Sequence, residues 1–225
     1  MGWILNLETS TKVCSVNLAR DGVTMAERDL FSENYSHAEN LTVFIQDVIK
    51  MAEVSMDRID AVAISAGPGS YTGLRIGCST AKGLCFGLGI PLIAIDSLQA
   101  LAAMVKANSD LICPMFDARR MEVYAALYNS NLDVVKAVQP IVLEEYRFED
   151  YLDSQRILFL GPGAEKTEKV IQNPNATFDL DTMVSAKGMT MLSHKKFLDR
   201  NFVDTAYFEP LYLKEFIAGK PKQLL

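Results

Sequence analysis

Trp3-Ile4-Leu5-Asn6-Leu7-Glu8, followed by Val13–Arg20 and Thr24–Phe31, is the stretch that decides the fold. The first run is short and apolar and reads as a buried strand. The second alternates well enough for another strand, and Asp21-Gly22 is a hairpin turn signal leading into a third. From His37 the period changes. Leu41, Phe44, Ile45, Val48 and Ala52 fall on one helical stripe, which predicts an amphipathic helix over roughly 36–54. Ala61–Ala66 is a short apolar strand that stops at Gly67-Pro68-Gly69. Helix-like sequence runs from Ser70 to Leu88, a strand follows at Pro91–Ile95, and a helix starts at Ser97 with Leu98, Leu101, Ala102 and Val105 on one face. The order β-β-β-α-β-α-β-α means a mixed sheet covered by helices.

The second half repeats this opening more faintly. Leu111–Asp117, Glu122–Asn129 and Asp133–Val138 read as three strands with a turn at Asn129-Ser130-Asn131, and Ile157–Leu160 as another that ends at Gly161-Pro162-Gly163. Helical patterns follow near 164–172 and 185–199. Each half places an acidic residue where its first strand ends, Glu8 and Asp117. The expectation is an α/β protein built from two βββαβαβα lobes, the duplicated ribonuclease-H-like fold of the actin/Hsp70/sugar-kinase (ASKHA) type. The polar Ala107-Asn108-Ser109 marks the seam, giving lobes over 1–108 and 109–225. The extended Phe208-Glu209-Pro210-Leu211-Tyr212-Leu213 suggests that a tail over 206–225 packs back on the first lobe.

Composition narrows the function classes. With 225 residues and 49 % of them hydrophobic, the chain is long and apolar enough to bury a real core. Lys and Arg number 22 against 28 Asp and Glu, a net charge of −6 that disfavours unaided gripping of a nucleic-acid backbone. Cys14, Cys78, Cys85 and Cys113 are scattered in apolar runs without a C-x-x-C pair, which favours buried reduced thiols over a disulfide framework or a zinc site. No apolar stretch reaches the roughly 18 residues of a membrane span, and the N-terminus lacks a basic leader, so a cytoplasmic location is expected.

Few residues point to chemistry. Glu8-Thr9-Ser10-Thr11 lies at the turn between the first two strands, which faces nucleotide phosphate in actin-type ATPases; a plain hairpin turn with local caps reads the same short pattern. Gly67-Pro68-Gly69-Ser70-Tyr71-Thr72-Gly73 joins a strand to a helix and favours an anion or simply a tight turn. It lacks the Gly-Lys-Ser/Thr ending of a Walker A loop. Gly73, Gly77 and Ala81, one turn apart, make a flat stripe that admits a close helix, either from the same lobe or from a partner. The two histidines, His37 and His194, form no metal motif, and His37 near a helix start reads as a surface or capping residue. Asp117-Ala118-Arg119-Arg120 reads as a solvated turn, and no Gly-x-Ser-x-Gly elbow occurs.

Together, Ile4 through Thr11 with Cys14-Ser15-Val16, the block Gly67 through Gly77, Asp117-Ala118-Arg119 with Glu122-Val123-Tyr124, and Glu209-Pro210-Leu211-Tyr212-Leu213 resemble the TsaB (YeaZ) family in order along nearly the whole chain. The resemblance implies an actin/Hsp70-like fold and a role in making N6-threonylcarbamoyladenosine in tRNA. It implies a non-catalytic subunit that partners the transferase TsaD, with the ATPase TsaE joining the assembly and tRNA reached only through the complex. It further implies that the helices near 36–54 and 70–88 pair with TsaD in a four-helix bundle, through Leu41, Phe44, Ile45, Val48, Gly73, Leu74, Gly77 and Ala81, and that the same surface forms a weak homodimer when alone.

TsaD carries two metal-binding histidines after the strand equivalent to Pro91–Ile95; Ser97 and Leu101 stand there in this chain, so no metal and no catalytic residue is expected. Glu8 replaces the Asp usual in relatives, which moves the carboxylate at the turn where Glu8, Thr9 and Ser10 are the candidate cofactor contacts. No tightly bound cofactor is expected, with nucleotide only at a complex interface. The rival reading is an actin-fold ATPase or small-molecule kinase acting alone; a peptidase reading finds no supporting motif.

Overall fold

The computed structural model describes residues 2–214 apart from 34, 35, 145 and 147, so the part of the expected tail over 215–225 lies outside the described residues. Two five-stranded mixed sheets form the frame. The first holds β1 (Trp3–Glu8), β2 (Val13–Arg20), β3 (Val23–Phe31), β4 (Ala61–Ser65) and β5 (Leu92–Ile95) in the order β3-β2-β1-β4-β5. The second holds β6 (Leu111–Asp117), β7 (Glu122–Tyr128), β8 (Val134–Val142), β9 (Ile157–Leu160) and β10 (Ala176–Asp179) in the order β10-β9-β6-β7-β8. Read from β8, it repeats the first: an antiparallel meander, then two parallel strands added beside its first member. The expected duplication is present.

β1 is buried along Ile4–Glu8 because it is central, pairing antiparallel with β2 and parallel with β4. Leu5 and Leu7 point to one face, where Val16, Leu18, Val62 and Ile64 meet α1 (His37–Met51) and α2 (Tyr71–Leu88) through Leu41, Ile45, Val48, Ala81 and Cys85. Each fully buried Leu or Ile there contributes about 1.5–3 kcal/mol. Ile4, Ala61, Ala63, Ile93 and Ile95 cluster with Ile112, Phe116 and Leu160 of the second sheet, so a shared core joins the lobes. A third cluster on the second sheet includes the ring series Phe148, Phe159 and Phe178, with successive centroids 5.2 Å apart.

The helices cross between the sheets. α3 (Ser97–Ala102) follows β5 yet packs on β6 and β7, while α6 (Thr190–Leu198) follows β10 yet packs on β5 and β1. A buried polar ladder fixes that return: Asn6 Nδ2 donates to Asn17 Oδ1 at 3.1 Å, Asn17 also accepts from Thr190 Oγ1 at 3.1 Å, and Ser15 Oγ accepts from Ala186 N at 2.8 Å. A division at 108/109 therefore separates the sheets but not the layers. From Ser185 onward the second half lies on the first sheet, earlier than the tail expected from 206.

The tail then runs along α2. Val203 bridges to Leu92, Lys82 Nζ donates to the carbonyls of Ala206 and Phe208 at 2.9 and 3.0 Å, and Leu211 N donates to Ala66 O at 2.7 Å. β10, α4 (Glu149–Leu152) and the shortness of α5 (Ala164–Glu168) were not legible in the pattern, since elements of four or five residues span too little chain to show a period. The four cysteines are free and buried, and no described helix is long and apolar enough to cross a membrane.

Candidate functional site

The glycine block at the end of β4 is a mould for the turn between β1 and β2. Gly67 has φ +103°, and a Cβ there would meet the Leu211 carbonyl oxygen at 2.7 Å, so only glycine fits. Ser70 caps α2, its Oγ accepting from Gly73 N at 3.3 Å, while its own N donates to Ser10 O at 2.6 Å. A Cβ on Gly69 would come within 2.6 Å of the Ser10 Cβ, one on Gly73 would overlap the Thr9 carbonyl oxygen, and one on Gly77 would overlap Thr9 Oγ1 and lie 2.8 Å from Ile64 Cδ1. His37 Nε2 donates to Thr11 O at 2.8 Å from the opposite side.

This geometry decides one reading that the sequence left open and corrects another. The Gly73/Gly77/Ala81 stripe faces inward, onto Thr9 and the chain's own sheet, because the turn needs helix backbone at contact distance. His37 is buried against that turn rather than on the surface, and burial holds its pKa below the usual value.

The turn itself is closed. Glu8, Thr9 and Ser10 are at most 1 % exposed, so none of these candidate cofactor contacts is presented to solvent. Ser10 N donates to Glu8 Oε1 at 2.5 Å, while Glu8 Oε2, Thr9 Oγ1 and Ser10 Oγ have no hydrogen-bond partner among the described residues. Burial pushes the Glu8 carboxyl up to about 7, with a smaller push from Asp96. Asp96 caps α3 by accepting from Leu98 N and Gln99 N at 2.8 and 2.9 Å, and burial raises its pKa as well.

Where the resemblance to TsaB implies Ser97 and Leu101 in place of metal-binding histidines, Ser97 Oγ accepts from Gly67 N at 3.1 Å and Ser97 N donates to Gly67 O at 2.9 Å. Leu101 is in the core, and a Cβ on Gly161 would sit 2.5 Å from its Cδ2. Among the described residues no group of three or more His, Cys, Asp or Glu is placed to hold a metal ion.

The residues expected at a partner surface divide sharply. Leu41, Ile45, Val48, Leu74 and Ala81 are at most 3 % exposed and, with Gly73 and Gly77, belong to the core, so their side chains cannot touch a partner; Phe44 alone is only partly buried, packed against the edge of that core. The outward faces of the same two helices carry other residues. Val43 and Met51 are exposed on α1, and Phe86 on α2 is 89 % exposed between Gly83 and Gly87, around whose Cα atoms there is open space. The signal was present: positions 72, 75, 79, 83 and 86 follow the helical period on the face opposite the buried glycines.

An activator of 2-hydroxyisocaproyl-CoA dehydratase from Clostridium difficile, with ADPNP bound, superposes with a TM-score of 0.52 over 88 % of this chain and 97 % of that one, at 8 % identity, a likeness of fold alone. YeaZ from Pseudomonas aeruginosa superposes with a TM-score of 0.83 at 26 % identity, over 95 % of this chain and all of that one. The tRNA threonylcarbamoyladenosine biosynthesis protein TsaB of Bacillus subtilis is 32 % identical over 174 residues, 76 % of this chain and 75 % of the relative. The family profile described as TsaD, tRNA N6-adenosine threonylcarbamoyltransferase, matches residues 33–215. Duplicated sheets of this order with crossed helices give the chain an actin-like, ASKHA-type fold. Within that class and that TsaD-type group, the chain belongs to the TsaB (YeaZ) family.

Proposed function

We propose that this chain is the non-catalytic subunit that binds a TsaD-type transferase, and with it TsaE, in the assembly that adds a threonylcarbamoyl group to N6 of the adenosine next to the anticodon in tRNA. The observation that carries this reading is the occupied metal position. Ser97 spends its hydroxyl on Gly67 N, and Leu101 fills core space, so neither supports a catalytic ion. The name of the Bacillus subtilis relative, a tRNA threonylcarbamoyladenosine biosynthesis protein, supports the same assignment.

The outer faces of α1 and α2 suit the transferase contact: Val43, Phe44, Met51 and Phe86 offer apolar area, and Gly83 and Gly87 let a helix approach. Alone, these faces pair weakly with a second copy. Nucleotide binds only where the complex completes a site, since Thr9 and Ser10 are closed off here. The location is cytoplasmic, where the tRNA substrate is.

The test is reconstitution. Purified chain and TsaD-type transferase should co-elute, and tRNA modification should require both. ATP turnover on the order of 1 per second by the chain alone would overturn the reading in favour of an independent ATPase or kinase.

A further inference from the structure

The edge where the lobes meet carries arginines that the reading above leaves unused. The turn between β6 and β7 contains Arg119 and Arg120, both exposed and both in left-handed backbone, with φ 69° and 50°. Asn or Gly would hold such a turn with less strain. The turn is braced from beneath: Arg119 N donates to Asp117 Oδ1 at 2.6 Å, and Lys166 Nζ donates to Asp117 Oδ1 at 2.9 Å and to Arg120 O at 2.8 Å. Lys214 Nζ donates to Ala118 O at 3.2 Å and pairs with Glu122. Lys166 and Lys214 thus neutralise the nearby carboxylates, and the two guanidiniums make no ion pair among the described residues.

The segment Tyr212–Lys214 ties this turn to the start of α2. Lys214 Nζ lies 6.0 Å from the Tyr124 ring centroid, and Arg119 is close enough to Tyr124 for its charge to oppose the upward push of burial on that phenol. Two residues back, at most about 7 Å of chain, the partly exposed Tyr212 ring packs on Tyr71 with centroids 5.0 Å apart. The Arg75 guanidinium lies 4.1 Å over Tyr71. Arginines interleaved with tyrosines run from one lobe to the other.

We propose that this rim, Arg75, Arg119 and Arg120 with Tyr124 and Tyr212, contacts an unpaired segment of the RNA substrate. Guanidiniums reach phosphates and tyrosine rings offer faces to unstacked bases, the combination that single-stranded RNA recognition uses. The net charge of −6 keeps the isolated chain a weak RNA binder, so the rim acts on tRNA already held in an assembly. The inference rests on the proposed function.

The experiment uses the reconstituted assembly with in-vitro-transcribed tRNA. In the double variant Arg119→Asn/Arg120→Asn, asparagine accepts the left-handed backbone, so both charges go while the turn stays. Arg75→Gln tests the other end. The expected result is a higher KM for tRNA with kcat and transferase binding unchanged, and a log KM against log salt dependence shallower by about 1.4 for the double variant, roughly 0.7 per lost phosphate contact. Unchanged KM and salt dependence in both variants would overturn the inference, as would loss of transferase binding, which would place the arginines at a protein contact. A wild-type assembly that leaves tRNA unmodified would instead defeat the functional reading on which the inference rests.

Discussion

Gly73 of α2 and Thr9 of the β1–β2 turn pack backbone to backbone, with no room for a methyl group between the glycine Cα and the threonine carbonyl oxygen. That contact helps to close the turn between β1 and β2, where Glu8, Thr9 and Ser10 are at most 1 % exposed. It also shows why the glycines of α2 are of two kinds: Gly73 and Gly77 are held against Thr9, whereas Gly83 and Gly87 face open space.

The two kinds respond oppositely to the same substitution. Glycine inside a helix costs about 1 kcal/mol relative to alanine. Gly83→Ala recovers that and should raise stability by up to about 1 kcal/mol. Gly73→Ala recovers it too, but drives a methyl into main chain, and overpacking typically costs about 1–3 kcal/mol or more. Urea denaturation of both variants reads the difference; equal effects would mean that α2 does not lie on Thr9 as described.

Glu8 makes stability depend on pH. Its folded pKa is raised by burial from 4.5 to about 7, so between those values the folded state holds a proton that the unfolded state has lost. The stabilisation belonging to the protonated carboxyl is complete below about pH 4.5 and disappears as pH rises through 7, at a total cost on the order of 3 kcal/mol. Glu8→Gln, neutral throughout, should flatten the decline between pH 5 and pH 8. A wild-type melting temperature as high at pH 8 as at pH 5, matched by the variant, would rule this out.

Much of the first lobe was legible because its strands and helices are long enough to show a period. Leu41, Ile45 and Val48 mark the inner face of α1, and the three-strand meander is bounded by clear turns. What periodicity did not give was direction. A stripe of small residues says that something approaches closely, and only the position of Thr9 shows that the approaching group is the chain's own turn. His37 was misread for a related reason: proximity to a helix start is local, while its partner Thr11 is 26 residues away. The return of Ser185–Leu198 to the first sheet depends on Asn6, Asn17 and Thr190 meeting across more than 160 residues, a pairing no local pattern contains.

Ser97 and Leu101 are predicted to act through the fold alone. Ser97→Ala removes the acceptor of Gly67 N and should cost about 1–3 kcal/mol for an unpaired buried donor. Leu101→Ala opens a cavity against Gly161 and should cost about 2–5 kcal/mol. At a temperature where both variants remain folded, tRNA modification by the assembly should match the wild type. A large loss of kcat from Ser97→Ala in fully folded protein would reveal a chemical role at that position.

Phe86 is the residue by which to judge the outer face of α2. A phenylalanine 89 % exposed in the last turn of a helix contributes almost nothing to the monomer's core, so Phe86→Ala should leave the thermal transition within about 0.5 kcal/mol of wild type. If the outer faces of α1 and α2 bind the transferase, the same truncation removes a central aromatic anchor, for which losses of 2 kcal/mol or more, on the order of 30-fold in affinity, are usual. Self-association of the isolated chain should weaken with it, since both contacts draw on one surface. Gly87→Leu adds bulk where a close helix would lie and should impair binding without touching the fold, because nothing lies within 4 Å of a Cβ at that position. Calorimetric titration with the transferase, paired with thermal melts, separates the two effects. Unchanged affinity in both variants would move the transferase contact off this face, and a destabilised Phe86→Ala would mean that the ring serves the monomer after all.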